Sequence, residues 1–168
     1  MIAIPSVDNT ETVVRILHKD WVVDGQIQIT SFALRQGESY ISVNRPAIDT
    51  FPSDLSDFVS KHIDYNVSDE GSLAYRQAGL DVFAVRNIKV ELGQLSADVS
   101  VEVEPRDTHY KSHAGIFTMC DKKNIKGGQE TVLDKYSQLM PVRAILQKVQ
   151  HQLLALSTLE EHEISLSK

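Results

Sequence analysis

The sequence predicts an α+β domain: a mainly antiparallel sheet with one mid-chain helix and a long C-terminal helical segment. Three observations carry this. QLSADVSVEVE alternates apolar and polar residues, with Leu95, Ala97, Val99, Val101 and Val103 on one face, the period of a half-buried strand. DTFPSDLSDFVSKHI (49–63) places Leu55, Phe58, Val59, His62 and Ile63 on one helical stripe. Near the end, Leu139, Val142, Leu146, Val149, Leu153 and Leu156 are spaced three and four apart, as in a short heptad seam. Strands grouped together, with helices in the middle and at the end, point to α+β.

The chain has 168 residues, a length that suits one domain spanning 1–168 and needs no disulfide or metal staple. Residues 1–11 are expected to be a loose leader. GQIQITSFAL (25–34) and ESYISVNR (38–45) read as two strands joined by Arg35-Gln36-Gly37. In the mid-chain helix, Pro52 and two aspartates suit the start, and Thr50 or Ser53 can cap it. The stripe puts His62 on the apolar face, where a core histidine bonded to a carbonyl is expected.

SLAYRQAGL (72–80) reads as a short helix stopped by Gly79. LDVFAVRNIKVEL and the alternating strand after it suggest a tight hairpin at Gly93. Pro105 ends that strand, and AGIFTM (114–119) forms another. Residues 129–158 are read as the C-terminal helical segment, with Pro141 starting a second helix or kinking a long one. Its seam covers the protein's own sheet or pairs two subunits.

Composition narrows the function classes. One cysteine cannot make an internal disulfide, which fits a reducing, cytoplasmic setting. The first residues lack the pattern of a secretory signal, and no run approaches the ~18 apolar residues of a membrane span. The net charge of −6 disfavours nucleic acid as a general partner. One segment departs from that average. Between Arg106 and Lys126, five basic residues outweigh two acidic ones, so this segment is read as a solvated loop or as a contact for an anionic ligand or partner, and a nucleic acid is expected only there.

That segment holds DTHYKSHAGIFTMCDKK, with His109, His113 and the lone Cys120. Two histidines beside Lys111 and Tyr110 have the parts for acid–base work on a phosphodiester. One imidazole takes a proton, the other gives one, and Lys111 steadies the developing charge. His18 is a possible distant partner. His109, His113 and Cys120 could instead share a metal, although no HExxH or CxxC pattern accompanies them. Cys120 could act as a nucleophile near Lys122 and Lys123; a small buried hydrophobe is the plainer reading.

Arg35 and Arg45 close the first two strands and are candidates for binding an anion, as are Lys122 and Lys123. NIKGG (124–128) lacks the GK[ST] of a phosphate loop and reads as a turn. Trp21 in HKDWVVDG is a core residue or an anchor for a partner. No metal site or cofactor is assigned. The expected role is a cytoplasmic interaction or regulatory protein that binds a protein partner, or pairs with itself through 139–156. The alternatives are a small phosphate-directed enzyme acting on a nucleotide or nucleic acid, and a His/Cys metal-binding protein.

Overall fold

The computed structural model describes residues 4–67 and 72–165. The strands are β1 (Thr12–Leu17), β2 (Val22–Val23), β3 (Gln26–Ile27), β4 (Ile41–Asn44), β5 (Ser72–Asp81), β6 (Val99–Pro105), β7 (His113–Cys120), β8 (Lys123–Asn124), β9 (Thr131–Leu133), β10 (Leu139–Pro141) and β11 (Thr158–Ser165). The helices are α1 (Phe51–Lys61), α2 (Val82–Arg86) and α3 (Val142–Leu156). Seven strands make one sheet in the order β11-β5-β1-β4-β7-β6, with β8 beside β7. Every pairing in it is antiparallel.

The sheet is covered on both faces because its strands are apolar on both. In β1, Val13 and Leu17 point to one side, and Val14 and Ile16 to the other. The first side packs with Leu80, Val85, Val149 and Leu153, and so takes α2 and α3. The second packs with Leu55, Val59 and Tyr75, and so takes α1. A smaller cluster of Cys120, Ile125, Met140, Val142 and Ile145 closes one end.

The α+β character holds, but the detailed architecture expected above is corrected. The described residues contain three helices, not one mid-chain helix and a long helical tail. α2 is an unforeseen second mid-chain helix, capped by Asp81 accepting from Ala84 N at 3.1 Å. Residues 129–138 are not helical. Asp134 Oδ1 accepts from Tyr136 N and Gln138 N, which turns the chain and pairs β9 with β10. Pro141 immediately precedes α3, where its missing N–H costs nothing. After α3 the chain returns as β11 along β5.

SLAYRQAGL is a strand, not a helix. β5 lies between β1 and β11 and pairs with both, so non-local backbone bonds override the helix propensity of Leu, Ala, Arg and Gln. The strand expected over 25–34 is also replaced. Asp24 and Gly25, both with positive φ, close a small β2–β3 hairpin. A 3₁₀ turn follows over Ile29–Phe32, with Ser31 Oγ donating to Gln28 O.

The hairpin at Gly93 shrinks to a single bridge, Leu92↔Leu95, and the strand begins at Val99. Within it, Val101 and Val103 are buried as the alternation requires. α1 ends at Lys61, so His62 and Ile63 leave the apolar stripe and are exposed. Residues of the expected leader are tied down: Val7 is buried, and the carbonyls of Pro5 and Ser6 accept from Arg45. No helix among the described residues is long and apolar enough to cross a membrane.

Candidate ligand-binding site

A cleft of about 440 Å³ opens beside α1 where β1 and β4 part, so that residues from both faces of the sheet line it; its volume is within the ~300–1,000 Å³ of small-molecule sites. Ile16, Ser42 and Asn44 form its floor, and Leu55 and Phe58 of α1 form one wall. Trp21 and Tyr65 form a second wall. The rim is Thr108, His109, Tyr110 and His113, facing Arg35 and Glu38.

Arg15 supplies the most unusual group. β1 and β4 share one register pair, Val14↔Asn44. Beside it, Arg15 fills the space between chains by donating Nε to Ser31 O at 2.5 Å and Nη1 to Ser42 O at 2.7 Å. Its guanidinium lies 4.9 Å from the centre of the Trp21 ring. Both acceptors are neutral carbonyls. Among the described residues, no carboxylate lies within ion-pair distance of Arg15 or Arg35. Burial pulls Arg15 down to about 10, which leaves it charged at neutral pH. Glu38 is nearby, with Oε1 accepting from Arg35 N at 2.7 Å.

Two carboxylates of α1 hold the rim. Asp54 Oδ2 accepts from Ser112 N at 3.0 Å, from Ser112 Oγ at 2.7 Å and from Thr50 Oγ1 at 3.0 Å. Asn44 Nδ2 donates to the same Ser112 Oγ at 3.1 Å. One turn on, Asp57 Oδ2 accepts from Tyr110 OH at 2.7 Å. Hydrogen bonds from Tyr110 and Lys61 lower the Asp57 carboxyl. Burial, and then the bond to Asp57, push the Tyr110 phenol up to about 12. Tyr110 therefore stays a protonated donor.

His113 begins β7 and pairs with Asn44 across the sheet. Its Nδ1 lies 2.9 Å from Thr108 Oγ1. Burial, and then the charge of Arg106, lower its imidazole below the ordinary value of 6.5. His113 is therefore neutral at pH 7 and can accept a proton. Arg106 itself stacks 4.7 Å from the Tyr40 ring centre, and the Tyr40 ring covers the face of β7 at Gly115.

The fold brings together some of the residues singled out in the sequence and separates others. His109, His113 and Arg35 line the cleft. Lys111 is exposed on the same loop but is not part of the lining. Arg45 is 2% exposed and bonded to Glu11 at 2.9 and 2.8 Å, so its charge is neutralised inside the protein. Lys122 and Lys123 follow the far end of β7, seven residues from His113, about 23 Å away at strand rise.

Cys120 is at that same far end and buried, so it does not meet His109 and His113. Burial raises its thiol, with Asp121, Asp134 and Asp98 adding to the effect, the opposite of an activated nucleophile. No group of three metal-ligating side chains forms among the described residues. His18 packs behind the cleft, 5.7 Å from Trp21 and 5.4 Å from Tyr65 between ring centres.

Arg15 went unnoticed in the sequence, although it left a signal. In TVVRIL it falls in phase with the buried Val13 and Leu17, where a charge is costly unless it has a role. Phe58 and Tyr65 left none, since either fits an ordinary core. NIKGG proved to be a clasp: Gly37 N donates to Gly127 O at 2.8 Å, and Gly127 N donates to Glu38 O at 2.9 Å. It thereby fixes the turn that carries Arg35. The chain matches no known family model, no curated protein and no solved structure.

Proposed function

We propose that the protein binds a small anionic ligand in this cleft and serves as a ligand-binding, regulatory component in a reducing compartment such as the cytoplasm. One observation carries the reading. Arg15 keeps a charged guanidinium at the cleft on two neutral carbonyls, with no carboxylate of the described residues in ion-pair range. Holding such a charge costs free energy, and an anion arriving at Arg15 and Arg35 offsets that cost. A homodimer through 139–156 is the weaker reading, because Val142, Val149 and Leu153 of that seam are buried in the protein's own core, which leaves Leu139 and Leu156 exposed for a partner.

Thermal unfolding with added inorganic phosphate, sulfate or citrate tests the reading. A ligand at about 100 times its Kd adds about 2.7 kcal/mol, so the melting temperature rises. The rise is expected to shrink in Arg35→Gln, whose side chain is exposed. No shift with any of the three anions would remove the proposal.

A second reading adds chemistry at the same place. His109 and His113 border the cleft that holds both arginines. A neutral His113 oriented by Thr108 is suited to accept a proton. Arg15 and Arg35 would then take the charge-steadying role first considered for Lys111. Turnover of a simple phosphodiester such as bis(p-nitrophenyl) phosphate, abolished in His113→Asn, is the expected sign. A wild-type protein without turnover leaves binding alone.

A further inference from the structure

We propose that the ligand is a nucleoside monophosphate, with its phosphate at Arg15 and Arg35 and its base against Trp21, Phe58 and Tyr65. The inference rests on the anion-binding reading above and names the ligand class. Distance links the two halves. The Arg15 guanidinium lies 4.9 Å from the Trp21 ring centre. An anion paired with Arg15 therefore starts beside an aromatic wall, and the rest of the ligand must lie along it.

That wall suits a flat ring. Trp21 meets Tyr65 at 90° with centres 6.1 Å apart, and Phe58 meets Tyr65 at 66° with centres 5.1 Å apart. Rings packed edge to face do not cover one another as parallel stacks do. His18 and His62 pack on other sides of these rings, yet Trp21, Phe58 and Tyr65 all line the cleft and present ring surface to it, and every nucleobase has a π-face. Asn44 adds an acceptor at the floor. Its Nδ2 is committed to Ser112 Oγ, which leaves Oδ1 for an N–H donor such as a base amine or ring imide.

Size and charge select the monomer over the polymer. About 440 Å³ accommodates one compact ligand. Among the lining residues two guanidiniums meet one carboxylate, Glu38, and the rim carboxylates Asp54 and Asp57 stand behind them, bonded to Ser112 and Tyr110. The chain as a whole carries −6, which repels an extended phosphate backbone.

Titration calorimetry on the full chain tests this with AMP, GMP, CMP and UMP against ribose 5-phosphate, inorganic phosphate, phenylacetate and a short single-stranded oligonucleotide. At least one mononucleotide is expected to bind about tenfold or more tighter than ribose 5-phosphate, a factor within the range of one base–aromatic stack. Phe58→Leu is expected to erase that preference. Arg35→Gln, at an exposed position, is expected to weaken every phosphate ligand without unfolding the protein. Quenching of Trp21, the only tryptophan, should follow the same order.

Equal affinity for ribose 5-phosphate and the mononucleotides would overturn the base contact while leaving the anion site standing. Phenylacetate binding tightest would replace the nucleotide with an aromatic carboxylate. An oligonucleotide binding tightest would replace it with a polymer. Binding by none of these ligands would overturn the nucleotide proposal and the anion reading together.

Discussion

A carbon added at Gly127 would stand 2.0 Å from the carbonyl oxygen of Arg35. Backbone meets backbone there, so no side chain can move aside. Gly127→Ala must push the 35–38 turn away and break the two hydrogen bonds that clasp it. We expect a loss of roughly 1–3 kcal/mol, together with weaker anion binding because Arg35 moves. Denaturant titration and phosphate titration of the same variant check both parts. A stable variant that loses only binding would confirm the clasp as a positioning device.

Asp54→Ala removes the acceptor of Ser112 N and Ser112 Oγ, and Ser112 is fully buried. Stranding buried donors costs about 1–3 kcal/mol each, so a loss of about 2–6 kcal/mol is expected for the two. The rim loop should loosen as well. Amide exchange at 108–112 is the measurement, and unchanged protection there would contradict the assigned role.

Glu11 and Arg45 form a pair with side-chain exposures of 10% and 2%. Burial pushes the Glu11 carboxyl up. The bonds from Arg45 and Asp8 N, with the charge of Arg45, outweigh it and hold the group below its ordinary value. Glu11→Gln leaves Arg45 charged and uncompensated, which costs about 3–5 kcal/mol in comparable buried pairs. A fall of less than 1 kcal/mol in urea unfolding would show that the carbonyls of Pro5 and Ser6 suffice.

His113 makes stability depend on pH. Its folded-state value lies below the 6.5 of a free histidine, so the unfolded chain binds protons first as pH falls. The contribution is complete above 6.5 and is lost as pH drops through 6.5 towards the folded value. Melting temperatures recorded across that window should fall for the wild type and fall less for His113→Asn. Parallel curves would remove His113 as the titrating group.

Leu153 on α3 is fully buried and packs against the face that includes Val13 and Leu17. Leu153→Ala should cost about 2–5 kcal/mol. The loss should not vary with protein concentration, because Leu153 is packed within one chain. A concentration-dependent midpoint would restore pairing between subunits.

Local patterns decided whatever did not depend on a distant partner. The alternation ending in Val101 and Val103, the apolar stripe of Leu55 and Val59, and AGIFTM as a strand all read correctly, because each segment needs one face buried whatever covers it. His109 and His113 could be named as interesting, since chemistry is written in residue type. Tertiary structure decided the rest. β5 became a strand only because β1 and β11 pair with it on both sides. The 129–141 hairpin is the exception, since its turn bonds at Asp134 span four residues at most, a local signal that the helical reading passes over. The cleft needed Arg15, Arg35, Phe58 and His113, drawn from four separated segments. Their convergence is a property of sheet order, and sheet order is set by which strands bury one another's backbones rather than by any stretch read alone.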